Sequence, residues 1–374
     1  MKAVFIASDN IVSPLGSTAD ENFQKLKGNI SGVKQHVAPF SPQPFFASLF
    51  DNENIFGSDG EYTKYEQLLL ASISNAIEKA SIDVRDKKTI LIISSTKGNI
   101  SLLETEPYNE TLKHRISLYT SAKLVADYFG FAEPPVIISN ACISGVLAMI
   151  TGMRMLQSGQ YENAVVAGAD VISKFVLSGF QSFQAISDEE CRPFDAGRKG
   201  INLGEAAGTV ILSSNEKYTG GIKLVGGAVS NDANHISGPS RTGEELSEAI
   251  KKAMANAAVS PADIDFISAH GTATLYNDEM EAKAITLCGM EKVPVNSLKG
   301  YYGHTLGAAG LIESIITAHS MRENLLIPTR GFRETGVSQP INICSTLQTA
   351  SLNKCLKTAS GFGGCNAALI LSKN

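Results

Sequence analysis

The stretch VIISNACISGV, residues 136–146, passes from a β-branched run into small residues within a few positions. Pro134 and Pro135 punctuate its start, and Val136, Ile137 and Ile138 favour a strand. Beyond it Val146, Leu147, Ile150, Met153 and Leu156 recur at helical spacing as far as Gly159, a residue suited to end a helix. A strand feeding a helix through a tight turn is the repeating unit of an α/β protein. Cys142 then stands at or near a helix N-terminus. Unpaired N–H groups and the positive end of the helix dipole there favour a thiolate over a thiol and stabilise an oxyanion. A small buried hydrophobe is the other reading of such a cysteine, and position alone leaves both open.

The same pattern extends outward. Apolar runs predict strands at 90–95, 135–139, 163–168, 207–213, 264–269 and 366–372, with MKAVFIASDN as a first strand. Helical periodicity predicts helices at 64–80, 119–129, 144–158, 244–257, 278–288 and 308–323. Continuous apolar strands between helices suit a mostly parallel sheet covered on both faces. A strand, a small-residue turn and an apolar helix occur around Cys142 and again around 296–322. Residues 1–215 and 216–374 therefore read as two halves, joined at TGGIK, 219–223.

Composition narrows the function classes. The 374 residues are 43% hydrophobic, enough for one large core or two fused ones. With 32 basic and 37 acidic side chains and no basic block, nucleic acid is not an expected partner. Six cysteines without a CxxC pair fit neither a zinc site nor a disulfide scaffold, and suit the reducing cytoplasm. No stretch approaches a membrane span, and the first apolar run is too short for a signal-peptide core.

Two histidines share the cysteine's setting. His270 opens HGTAT directly after the strand IDFISA, at the sheet end where open α/β proteins bind ligands. His304 lies in GHTLGAAG, a turn of small residues that opens a helix, five residues after Lys299. A cysteine with two histidines at such positions signals nucleophilic catalysis with acid–base or electrostatic helpers. His36, His114, His235 and His319 have weaker contexts.

An ordered series of motifs runs through nearly the whole chain: SPLG at 13–16, NACISG at 140–145, RPFDAGRKGINLGEAAG at 192–208, DANHISGPS at 232–240, HGTATLYND at 270–278, NSLKGYYGHTLGAAG at 296–310 and GFGGCNA at 361–367. This series resembles the β-ketoacyl-acyl carrier protein synthases, the decarboxylating, chain-elongating branch of the thiolase superfamily. The resemblance implies a duplicated, five-layered αβαβα fold that forms a homodimer or pairs with a related synthase subunit. It implies that Cys142 takes an acyl chain from acyl carrier protein, and that malonyl-carrier protein loses CO2 and attacks the held acyl group. By the same resemblance His270 and His304 stabilise the enolate, and Lys299 and Glu313 shape the field around them. The N–H groups of Cys142 and Phe362 would form the oxyanion hole. Phe362 gates malonyl access and with Gly363 contacts the substrate, and Thr272 and Thr274 hold the pantetheine arm. No metal or nucleotide is implied, because phosphopantetheine arrives on the carrier protein. RPFDAGRKG and LGEAAG read as loop and turn elements rather than chemistry.

The sequence departs from that pattern in places. The opening strand VFIASDNIVSPLG is poor in glycine, and the segment before Cys142 is short. Ile143 is bulkier than the usual small residue, Tyr301 and Tyr302 are paired, and Cys365 replaces a threonine. These changes spare every catalytic group and bear on pocket shape, which suggests a specialised fatty acid, polyketide or aryl-polyene-type pathway. A non-catalytic, chain-length-factor-like subunit and a non-decarboxylating thiolase remain alternatives, the latter because Cys365 lies near the GFGG turn.

Overall fold

A computed structural model describes residues 2–37, 40–51, 62–219, 221–234 and 238–373. Gly220 of the expected join and His235 to Ser237 of the DANHISGPS motif lie outside the described residues. Eleven strands form the main sheet: β1 (Val4–Val12), β2 (Thr89–Ser94), β3 (Val136–Ile138), β4 (Asn163–Asp170), β5 (Ala206–Ser213), β6 (Lys223–Asn231), β7 (Phe266–Ser268), β8 (Pro294–Asn296), β9 (Asn342–Ile343), β10 (Lys354–Gly361) and β11 (Cys365–Ser372). The helices that position the site are α1 (Lys64–Ala80), α2 (Leu118–Phe129), α3 (Ser144–Gln157), α4 (Lys174–Ser182), α5 (Glu244–Ala257), α6 (Leu275–Leu287), α7 (Lys299–Tyr302) and α8 (Ala309–Glu323).

The strand order is β9-β8-β7-β10-β11-β6-β1-β5-β4-β2-β3. From the centre outward one side runs β1-β5-β4-β2-β3 and the other β6-β11-β10-β7-β8, with the same sequence of directions. The topology is thus laid down twice. Within the sheet the two sides join where β1 pairs β6, at Val4 with Leu224 and Phe5 with Lys223.

Burial explains the five layers. Along β2, Ile90 and Ile92 face the central core while Leu91 and Ile93 face the layer of α1 and α2. Along β11, Ala367 and Leu369 face the central core while Ala368 and Ile370 face the layer of α5 and α6. A strand with two apolar faces reads as a continuous run, because side chains alternate faces with a period of two. Helices α3 and α8 lie between the two sides, and α8 is buried continuously from Ala309 to Met321. Glycines allow their N-terminal turns to touch: a Cβ on Gly145 would lie 2.6 Å from the Leu311 nitrogen, and one on Gly310 2.5 Å from Val146 Cγ2.

The sheet is mixed, not mostly parallel. Its outer strands are parallel, but β5 and β11 run antiparallel to both neighbours. Only Phe362, Gly363 and Gly364 separate β10 from β11, a link short enough to force an antiparallel pair. Gly363 and Gly364 take φ of +84° and +78°, so this hairpin needs glycine. Periodicity cannot report strand direction once both faces are covered. Helix α6 begins at Leu275, three residues before the expected 278, capped by Thr274. Its first residues, Leu275 and Tyr276, are exposed and carry no inward apolar signal. No described helix is long and apolar enough to cross a membrane.

Candidate active site

Three turns converge between the two sides of the molecule. Cys142 lies in the turn from β3 to α3, where Ala141 takes φ of +43°, a left-handed conformation uncommon without glycine. Ser144 Oγ donates to the Ala141 carbonyl at 2.7 Å and accepts the Asn140 N–H at 2.8 Å, which fixes that turn. HGTAT follows β7 and is held by two buried carboxylates of α6. Glu281 accepts the N–H groups of His270 and Gly271 at 2.8 and 2.6 Å, and Asp278 those of Thr272 and Ala273 at 2.9 and 3.2 Å. The third turn carries His304, whose N–H donates to the Asn202 carbonyl at 2.7 Å. Asp170, at the end of β4, accepts the Gly307 N–H of that turn at 2.7 Å. Gly204 of LGEAAG returns an N–H to the His304 carbonyl at 3.1 Å, so Asn202 and Gly204 brace this turn from both sides.

The Cys142 sulfur and a ring nitrogen of each of His270 and His304 lie within 4.8 Å of one another, all buried. The two rings stand nearly perpendicular, 5.1 Å between centroids. Leu306 donates its N–H to His304 Nδ1 at 3.1 Å, so the proton of the neutral ring sits on Nε2 and gives the site a fixed donor. His270 Nδ1 has no hydrogen-bond partner among the described residues. Beneath the histidines, Lys299 donates to the His270 carbonyl at 3.0 Å and pairs with Glu313. Glu313 also pairs with Lys357 at 2.7 Å. Two ammonium groups under the site disfavour a divalent cation and favour an anion.

Electrostatics assign the resting states. Burial, then Lys299 and the other nearby cations, hold both histidines well below the usual imidazole range, so both are neutral at pH 7. Burial, with Cys365 adding to it, pushes the Cys142 thiol up to about 12, against Lys299 and the Phe362 N–H. The expectation that a helix N-terminus favours a thiolate is therefore not met in the resting chain. Desolvation at a site only 7% exposed outweighs the dipole. Alkylation by iodoacetamide should rise about tenfold per pH unit from pH 6 to 9 without a plateau, because the thiolate fraction keeps growing below the thiol's pKa. Labelling followed by peptide mass spectrometry reads this, and a plateau near pH 7 would contradict it.

A cavity of 550 Å³ opens above the thiol, walled by Cys142, His270, His304, Thr272, Thr274 and Phe362 among others. The Phe362 N–H is directed at the thiol, and a Cβ on Gly361 would come within 2.9 Å of the Cys142 nitrogen. The donors of Cys142 and Phe362 are thereby neighbours around one small space, the arrangement an oxyanion needs. Thr272 and Thr274 hydroxyls lie 2.9 Å apart at the wall, and Thr274 also caps α6. Gly363 is not part of the wall; it supplies the left-handed turn. Cys365 stays behind the turn, its sulfur against the carbonyls of Asn140 and Phe362.

Sequence reasoning missed several members. Phe180 and Phe183 line the cavity and pack on Phe362 with centroids 5.5 and 5.2 Å away. Their spacing in SGFQSFQ places them on one helical face, the signal that was available. Lys357 was detectable as a lysine inside the apolar run before GFGG. Asp170 carries no local sign, because the backbone it holds is distant in sequence, whereas Asp278 closes the HGTATLYND motif and Glu281 follows it by one turn, both holding backbone within eleven residues.

Models of the N-terminal and C-terminal domains of β-ketoacyl synthases match residues 1–217 and 222–333. The chain is 28% identical to 3-oxoacyl-(acyl-carrier-protein) synthase 2 of Vibrio cholerae, covering 100% of this chain and 99% of that one. It is 26% identical to the synthase of the same name from Staphylococcus aureus, covering 100% and 98%. A chain of the Xenorhabdus doucetiae complex of a ketosynthase with its chain length factor superposes with a TM-score of 0.88 at 27% identity, covering 100% and 98%. The ishigamide ketosynthase/chain length factor shares the fold at a TM-score of 0.92 and 24% identity, covering 100% and 99%. With both domain models matched and the Cys-His-His cluster assembled between two copies of one topology, the chain belongs to the β-ketoacyl synthase family.

Proposed function

We propose that the chain is a decarboxylating β-ketoacyl-acyl carrier protein synthase in which Cys142, His270 and His304 do the chemistry. The observation that carries this reading is one thiol and two neutral imidazoles within 4.8 Å at the base of a cavity. Cys142 attacks the acyl thioester; its proton passes to the His270 ring and on to the departing carrier thiol, leaving an acyl-enzyme. Malonyl-carrier protein then enters past Phe362. Its carboxylate leaves as CO2, and the bonding pair moves onto the thioester oxygen as an enolate. The His304 Nε2–H faces that oxygen, a donor set in place before the charge develops. The enolate carbon attacks the acyl carbonyl, whose oxyanion rests between the Cys142 and Phe362 N–H groups. Collapse releases the β-ketoacyl product and a Cys142 thiolate, which regains its proton from water entering the cavity, with His270 as the relay. Lys299 and Glu313 hold the floor of the site, and Thr272 and Thr274 border the path of the pantetheine arm. No separate cofactor takes part.

Residues 1–215 and 216–374 are taken as the two halves, each supplying part of the site. The open edge of β3, with its half-buried Val136, Ile137 and Ile138, supports pairing with a second synthase-type chain, identical or related. Six free buried cysteines suit the cytoplasm. The aromatic group Phe180, Phe183 and Phe362 above the thiol supports a specialised primer, aryl or polyene rather than saturated. The test is intact-mass analysis after incubation with saturated, aryl and polyene acyl-carrier proteins, followed by malonyl-carrier protein. We expect an acyl adduct that disappears as an elongated β-ketoacyl product forms, with conjugated primers loading best. Loading and elongation confined to saturated primers would refute the specialised pathway. No adduct from any primer, with or without a partner subunit, would refute the synthase.

A further inference from the structure

The scheme above uses Lys299 and leaves a second buried lysine without a task. Lys357 lies on β10 in register with Ser268 of β7 and is wholly buried. Its Nζ donates to the carbonyls of Ser268 and Ala269, each at 3.1 Å, and pairs with Glu313 at 2.7 Å. Lys299 takes the next carbonyl, His270, at 3.0 Å, and the other oxygen of Glu313. Three successive carbonyls ahead of the HGTAT turn therefore end on ammonium groups. On the opposite side of that peptide, Glu281 takes the N–H groups of His270 and Gly271. Burying a second ammonium is costly, and an apolar side chain of the same length would fill the same core without that cost. A charge kept there is expected to serve the neighbouring histidines.

We propose that Lys357 is a positioning residue for the condensation: with Lys299, and through Glu313, it clamps the strand end that sets the His270 ring against the Cys142 thiol. The proposal rests on the decarboxylating reading of the site. Burial lowers the pKa of Lys357 itself, and Glu313 opposes that. The groups facing His270 are Cys142 from the β3–α3 turn, His304, Lys299 from α7, Glu313 from α8, Glu281 with Asp278 behind it from α6, and Lys357 from β10. Lys357 is among the cations that hold His270 neutral. Removing it relieves repulsion of the imidazolium, so His270 should protonate at higher pH.

The test compares wild type with Lys357→Met, which loses charge and donors, and Lys357→Gln, which keeps a donor without charge. Carbon-13 labelled histidine, followed by NMR against pH in the resting protein, reads His270 directly, with His270→Gln assigning its signal. We expect His270 to titrate at higher pH in both variants and the acidic limb of kcat to move up with it. We also expect kcat to fall about tenfold or more, with KM for the carrier substrates within about twofold, and Lys357→Gln to recover part of kcat but none of the shift. Folded variants whose His270 titration and acidic limb coincide with wild type would overturn the proposal. The NMR arm needs no turnover, so a wild type that fails to condense malonyl-carrier protein overturns the synthase reading while the titration still judges Lys357.

Discussion

Incubated with acyl-carrier protein, Cys142→Ala stays at its own mass where wild type gains the acyl increment, and its condensation turnover drops on the order of a millionfold, the scale set by loss of a nucleophile that works as part of a unit. The thiol is the only cysteine sulfur that clusters with His270 and His304 among the described residues. Alanine removes the sulfur while keeping the β-carbon at a site that already packs against the core, so the fold should survive. Cys365 is the one competitor worth watching. It lies within reach of the same turn, but its sulfur rests on the carbonyls of Asn140 and Phe362, outside the wall of the cavity. Acyl transfer to Cys365 in the variant, mapped by peptide mass spectrometry, would overturn the assignment and revive a thiolase-like use of two cysteines.

His304→Ala should separate the two half-reactions. Loading of Cys142 should slow by less than about tenfold, whereas decarboxylation of malonyl-carrier protein should fall by about a hundred- to a thousandfold, the usual consequence of losing one fixed donor to a developing oxyanion. The asymmetry follows from the tautomer: Leu306 occupies Nδ1, so the ring can only donate through Nε2 while it is neutral. Stopped-flow measurement of CO2 release beside the mass-spectrometric loading rate gives both numbers. Equal losses in the two steps would mean that His304 serves the thiol instead. Because burial and the lysines depress both histidines, the neutral pair and hence the activity should persist on the acidic side to below the ordinary histidine range. Protonation at lower pH would then remove the proton acceptor.

The stretch 136–146 was readable because it combines two strong periodic signals with a small-residue turn, and β3, Cys142 and α3 stand where those signals put them. The six helices expected from periodicity are present, with only α6 starting early at residues that face solvent. Strand direction was not readable, since a strand covered on both faces looks the same whether its neighbour runs with it or against it. Strands β6 and β10 escaped for a related reason. Gly226 and Gly227 weaken the first, and Lys354 and Lys357 break the apolar run of the second. At the site, residues that carry reactive atoms announced themselves by type, and those that hold the backbone did not. Asp170 grips a turn that begins well over a hundred residues further along the chain, and Glu281 acts on N–H groups rather than on side chains.

The contact of α3 with α8 through Gly145 and Gly310 has a bearing on how this molecule tolerates change. Cys142 stands just ahead of one of these helices and His304 just ahead of the other, so in the proposed reaction the seam between them acts as the ruler. Insertions and deletions in outer loops leave that ruler untouched. Alignments to the Vibrio and Staphylococcus synthases extend over 410 and 408 positions, so gaps open against the 374 residues of this chain while Cys142, His270 and His304 still cluster. A lineage is thus free to trim or decorate the periphery and explore new partners and primers. A single methyl group at the seam would disturb both ends of the measurement at once.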